Sequence, residues 1–295
     1  MIVSILLIVL LSLVIVFAII LAKDVMANKD EPKVRPYWLL GLTGLITDFL
    51  DTLGIGSFVV TTAIFKATKA VDDKIIPGTL NIAHAIPTAV QALIFIYVVK
   101  VDVLTLVSLI IAAVVGAWLG AGIISKFSRR MIQLTMSIAL ALTALLMILS
   151  MVGLIEGHGD ATGLTGGLLI VGIVGNFILG VMMTAGVGLY APCMAMLFLL
   201  GMSPLVVFPV MMGSCAFLMP VAGVRFIKAG RYARKPAAAI AIMGCIGVLI
   251  AAYVVTSLPL DILKIVVIIV VIYTSGVMFF SAKKTTDSSN NFNNT

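Results

Sequence analysis

The chain has 295 residues, of which 62% are hydrophobic and 11% charged, with a mean hydropathy of +1.26. A soluble domain is nearer half apolar and about a quarter charged, so this composition excludes an ordinary globular enzyme and belongs in lipid, where the length is counted as about seven to nine crossings of roughly 20 residues. The formal charge of +7 sits in short basic clusters between apolar runs, the pattern of cytoplasmic membrane loops and not of a nucleic-acid footprint.

The first apolar run, 2–22, lacks a positive leader and is too long for a signal peptide, so a retained N-terminal helix is expected over 1–24. The next, 38–66, is interrupted at Gly54-Ile55-Gly56 and carries Asp48 and Asp51 before the interruption. Runs at 75–98, 103–125 and 131–155 follow, then a long stretch at 164–200 interrupted at Gly186-Val187-Gly188, with Pro192 beyond. Three more runs, 204–226, 236–256 and 260–281, precede a Ser-, Asn- and Thr-rich tail at 283–295, for which disorder is expected. Cys193, Cys215 and Cys245 lie inside apolar runs at spacings that match no zinc or redox motif, and read as small buried residues; no metal or cofactor is expected.

Displaced by about 132 positions, the chain superposes on itself: Thr52, Gly54, Gly56, Ala63 and Pro77 meet Thr184, Gly186, Gly188, Ala195 and Pro209. Unrelated apolar helices share Leu and Val by chance but not such punctuation, so two transport repeats are expected, at 37–155 and 164–282. Paired glycines leave the helix easily, and backbone freed at membrane depth must be buried in protein or line a cavity. The bland alternative is that the glycines ease helix packing.

Loop charge bears on whether each broken stretch spans or returns. If both span, about 12 basic residues fall inside and 7 outside, a weak bias. If both are re-entrant, the clusters Lys23 to Arg35, Lys66 to Lys74, Lys126 to Arg130, Arg225 to Lys235 and Lys283-Lys284 all fall inside, leaving only Lys100 and Lys264 outside. The expected fold is thus an all-α integral membrane protein, an inverted repeat with two broken or re-entrant helical hairpins and about seven full transmembrane helices, multi-pass in a bacterial-type cytoplasmic membrane. This is a transporter architecture, with its site near the midplane.

A carboxylate at the centre of a membrane helix costs roughly 2.5–3.5 kcal/mol, so Asp48 and Asp51 call for a task. At i, i+3 they share a face with Thr52 nearby, suited to a coupling cation or a proton; the rival reading is a hairpin tip open to water. The second repeat has only Gly180 and Met183 there. Asn81, His84, Thr88 and Gln91 draw one polar stripe along the next helix, as a cavity lining would. Thr79 can cap that helix or meet the solute. Ser214, in Gly213-Ser214-Cys215, can donate to a ligand or merely pack. The cluster from Arg225 to Lys235 is explained by snorkelling.

GIGSF at 54–58, IPGTLNIAHAIPT at 76–88 and FPVMMGSCAFLMPVAGVRFIKAGRY at 208–232 resemble the TauE/SafE sulfite exporter family over nearly the whole chain after the first helix. The resemblance implies a carrier of a small sulfur-containing or organic anion such as sulfite or a sulfonate. Helix starts at the two breaks, with Thr52, Gly54, Gly56, Ser57, Thr184, Gly186, Gly188 and Tyr190, can receive an oxyanion through backbone N–H groups and hydroxyls. The expected partners are a small anionic solute and lipid, with a homodimer left open. The alternatives are a proton- or cation-coupled importer of another solute and an anion channel. No HExxH or Gly-x-Ser-x-Gly motif and only two histidines are present, so no enzyme is expected.

Overall fold

The computed structural model describes residues 2–28, 37–72, 75–120, 160–184 and 188–257, with scattered positions in 137–152 and 265–280. The 283–295 tail and most of the runs 131–155 and 260–281 lie outside the described residues. Every element described is a helix: α1 (Ile2–Ala27), α2 (Tyr37–Thr52), α3 (Ser57–Thr68), α4 (Ile76–Ala83), α5 (Ala85–Val98), α6 (Val103–Gly120), α7 (Gly166–Met183), α8 (Tyr190–Leu199), α9 (Pro204–Lys228) and α10 (Arg234–Ser257). Among the described residues, five stretches are long and apolar enough to cross a membrane: α1, α4 with α5 over Ile76–Val98, α7, α9, and Arg234–Val254 of α10. A helix satisfies its own backbone groups, as lipid requires.

Helix α1 shows how burial is divided. Leu10, Val14, Phe17 and Leu21 form one buried stripe, while Ile8, Ile15 and Ile19 are exposed. An outward face made of isoleucine rather than charge suits hydrocarbon, not water.

Contacts at the helix ends fall into two groups. At the first end, Asp24 of α1 accepts from Tyr232 and, at 2.7 Å, from Arg234. The Ala233 N–H donates to the Thr79 hydroxyl at 2.9 Å, and Arg225 donates to the Trp118 carbonyl at 3.0 Å. A methyl group on Gly78 would stand 2.1 Å from the Arg231 carbonyl oxygen, so α4 starts against this loop at a distance only glycine permits. At the second end, Asp102 N–H donates to the Thr162 carbonyl at 2.9 Å, and Ala161 N–H and Ser203 N–H tie the segment before α7 to the segment after α8. The chain thus reaches the second end both before α7 and after α8.

The same order of elements recurs: α2, α3, α4 with α5, and α6 are followed by α7, α8, α9 and α10. The first arm of each break lies along the last helix of the other set, α2 along α10 and α7 along α6. Both seams are built on glycine. A Cβ on Gly44 would stand 2.7 Å from the Ile240 backbone, and one on Gly180 would stand 2.1 Å from the Ala113 carbonyl. Backbones come this close where small residues let them, which is how membrane helices gain packing without a hydrophobic drive. Gly44, Asp48 and Phe49 meet Ile240, Gly244 and Gly247 in rising order, so α2 and α10 run the same way, away from the first end.

Ahead of α6, exposed Asp102 accepts from the Thr105 N–H and then its hydroxyl, both at 2.8 Å. These donors hold its carboxyl below the usual carboxylate range. Such a group stabilises the fold above its unfolded value and loses that contribution as pH falls through the folded one. Asp102→Asn is expected to remove this part of the acid-side fall in melting temperature; an unchanged acid limb would count against the clip.

Candidate functional site

The site grows from the ends of α2 and α3. Gly54 and Gly56 have φ of +92° and +86°, values that side-chain-bearing residues rarely adopt, and they turn the chain between the helices. Of the second break, Gly188 is described and Gly186 lies outside the described residues.

Asp48 and Asp51 are 0% and 2% exposed. A hairpin tip open to water, one of the two readings of these residues, is therefore set aside: both carboxyls are enclosed by protein. Asp48 Oδ1 lies 2.8 Å from His84 Nδ1, and His84 Nε2 lies 3.0 Å from the Thr61 hydroxyl. Asp48 Oδ2 has no hydrogen-bond partner among the described residues. His84 occupies a turn between α4 and α5 instead of the middle of one helix. Pro87 explains the joint: it has no N–H for the Ala83 carbonyl and its ring crowds that position.

Asp51 is held at both oxygens. Oδ1 accepts from the Ser57 N–H at the start of α3, and Oδ2 accepts from Gln91 Nε2 at 3.0 Å. The same Gln91 nitrogen reaches the Thr52 hydroxyl at 3.0 Å, while Gln91 Oε1 accepts from the Tyr190 hydroxyl at the start of α8. One amide thereby bridges the two broken segments. Its two ends match opposite roles, with N–H toward the carboxylate and the carbonyl oxygen toward the phenol.

Between the breaks lies a cavity of about 20 Å³. Asp51, Ser57 and Thr88 line it from the first half, and Gly188, Tyr190 and Met219 from the second. No lysine, arginine or histidine is among the described residues lining it. At this size it holds about one water.

The other expected residues fall in several places. Asn81, Thr88 and Gln91 are buried with His84. Asn81 Nδ2 donates to the Pro77 carbonyl at 2.9 Å, and its Oδ1 has no partner among the described residues. Thr52 donates to the Asp48 carbonyl and Thr184 to that of Val181, each at 2.8 Å. The Thr79 hydroxyl is used at the first end of the bundle, donating to the Ile75 carbonyl and accepting from Ala233 N–H. Ser214 accepts from Asn176 at 2.8 Å. Neither Thr79, Asn81 nor Ser214 lines the cavity. Thr61 and Asn176 were not expected from the sequence, though Thr61 stands one turn beyond Ser57 in an apolar run, a signal of the kind that marked the stripe on α4 and α5. Among the described residues no three His, Cys, Asp or Glu side chains gather as a metal ion would need.

The model of the family described as Sulfite exporter TauE/SafE matches residues 1–147 and 168–294. The chain belongs to this family. Neither a curated protein nor a solved structure matches it. Both breaks of this TauE/SafE protein lie inside the matched stretches, and the gap between them covers the connection ahead of α7 and that helix's first two residues. TauE/SafE proteins form a family of membrane transporters, and the apolar helices described here are those of a multi-pass membrane protein.

Proposed function

We propose that this chain is a secondary transporter that moves a small anion, sulfite, an organosulfonate or a related organic anion, across the cytoplasmic membrane by alternating access. The observation that carries this reading is the cavity lined jointly by the two broken segments, which is where a carrier built from two repeats places its solute. In this reading 37–155 and 164–282 are inverted repeats, α2–α3 and α7–α8 are hairpins entering from opposite faces, and about seven helices cross fully. Three features support it: the recurrence of elements, the exchange of α2 and α7 onto each other's repeat, and the meeting of the segments flanking α7 and α8 at one end. Lys69 and Asp160 then face opposite sides of the membrane, which labelling of single cysteines placed at each position would read. Labelling of both from one side would undo the hairpins.

A cavity with room for one water is the closed form of such a carrier, and a sulfite-sized solute enters as the two halves part. Counterflow of labelled sulfite or alkanesulfonate in proteoliposomes tests the function directly. Saturable exchange is expected; flux without saturation or exchange would mean a channel. At equal membrane levels, Asn81→Ala and His84→Ala are expected to cut that exchange at least tenfold, and full exchange in both would remove the polar stripe from the site.

A second reading, a proton- or cation-coupled importer of another solute, is favoured by the buried pair Asp48 and Asp51. Gradient-driven uptake of a solute that is not an anion, with no counterflow of sulfite or sulfonate, separates it from the anion reading.

A further inference from the structure

The cavity poses a problem of charge. Among the described residues its wall contains the Asp51 carboxyl and no basic side chain. The titratable groups that face Asp51 are Asp48 on its own helix, His84 at the α4–α5 joint, Tyr190 on α8 and Cys215 on α9, while Cys245 of α10 faces Asp48. His84 is the one basic group in that set, and its Nδ1 is already engaged with Asp48. An anion brought into this enclosure meets a carboxylate of its own sign with no basic side chain among the described residues lining the cavity, and burial leaves little solvent to screen the repulsion.

The donor an oxyanion needs is also taken. Ser57 N–H, at the start of α3 and in the cavity wall, donates to Asp51 Oδ1. The charge-assisted bond that a transported oxyanion would make there is therefore already made by the protein's own carboxylate.

We propose that Asp51 is a tethered stand-in for the transported anion, seated on the Ser57 N–H in the empty carrier, and that the anion takes this seat only as Asp51 takes a proton, so that one proton crosses with each anion. The proposal rests on the anion reading above and names the co-transported ion. In the step, a proton from the side the anion comes from adds to a carboxylate oxygen of Asp51, the hydrogen bond from Ser57 N–H passes to the anion, and no bond within the anion changes. Release on the far side reverses both, and the cavity's net charge is the same when loaded as when empty. A metal cation fits less well than a proton: Asp51 is faced by N–H donors from Ser57 and Gln91, and Asp48 Oδ1 by His84, whereas a hard cation needs several converging oxygens. The change reaches the second half through Gln91, which holds Asp51 with its nitrogen and Tyr190 with its oxygen.

The test uses the full chain in proteoliposomes with a simple alkanesulfonate as probe, and sulfite beside it. The sulfonate stays ionised throughout the working pH range, so any proton that moves with it travels on the protein. Internal acidification at about one proton per sulfonate taken up is expected, with accumulation of about tenfold per unit of pH gradient, as one coupled proton allows. In Asp51→Asn the remaining flux is expected to lose its response to the pH gradient and to carry net charge, so that membrane potential drives it. Sulfonate exchange without proton movement in the wild type would overturn this inference and leave the anion reading standing. Exchange of neither probe would overturn both, and an unchanged proton ratio in Asp51→Asn would take the role from Asp51. The wild-type measurement decides the coupling even where the variant fails to fold.

Discussion

His84→Ala is expected to destabilise the protein by about 3–5 kcal/mol, the range seen when one partner of a buried ion pair is removed. Both members of the Asp48–His84 pair are fully buried and 2.8 Å apart. Asp48 Oδ2 already lacks a partner among the described residues, so loss of the imidazole leaves a carboxyl with neither oxygen bonded at membrane depth, where no water compensates. Thermal unfolding in detergent, read as a double-mutant cycle, separates this from loss of packing alone. Asp48→Ala combined with His84→Ala should be more stable than His84→Ala by itself, because it removes the stranded carboxyl. A double variant that merely adds the two single losses would show that the residues do not act as a pair.

Gly244→Ala is the second large effect. The added methyl carbon would stand 2.1 Å from Asp48 Oδ2 and 2.8 Å from Pro87 Cγ, well inside van der Waals contact. Either α10 moves off α2 or the carboxyl swings away from His84, and overpacking of this kind costs about 1–3 kcal/mol. The other seam shows the complementary solution. At the position corresponding to Asp48 stands Gly180, packed on the backbone of Ala113. One seam therefore pairs a carboxyl with a glycine, and the other pairs a glycine with an alanine. Asp48→Gly added to Gly244→Ala removes the clash by copying the second seam into the first, but it also strips buried His84 of its partner, so the melting temperature should recover only when His84→Ala is added as well. Transport should not recover, since the carboxyl is gone. No stability loss in Gly244→Ala would mean that the α2–α10 seam is looser than described.

Composition by itself placed the chain in lipid, because 62% apolar and 11% charged residues cannot be arranged around a water-facing surface. Local spacing named the candidates for the site. The glycine pairs mark the breaks, Asp48 and Asp51 fall at i, i+3, and Asn81, His84, Thr88 and Gln91 stand at intervals that share one face of a continuous helix, since helical geometry turns sequence intervals into direction. Pro87 carried the joint at His84 as well, although its effect on the Ala83 carbonyl became plain only in the fold. Tertiary structure decided what each polar group does with its neighbours. Thr79 and Ser214 fit a site on chemistry alone but are engaged with Ala233 and Asn176, partners far away in sequence. Thr61 gains its place from His84, 23 positions on, and Tyr190 meets Gln91 across 99. Spacing within a helix is a local property of the backbone, and so is the bond from Ser57 to Asp51 six positions back, whereas the link from Asp51 through Gln91 to Tyr190 depends on how the two halves pack, and packing alone placed Asp51 in the wall of a shared cavity.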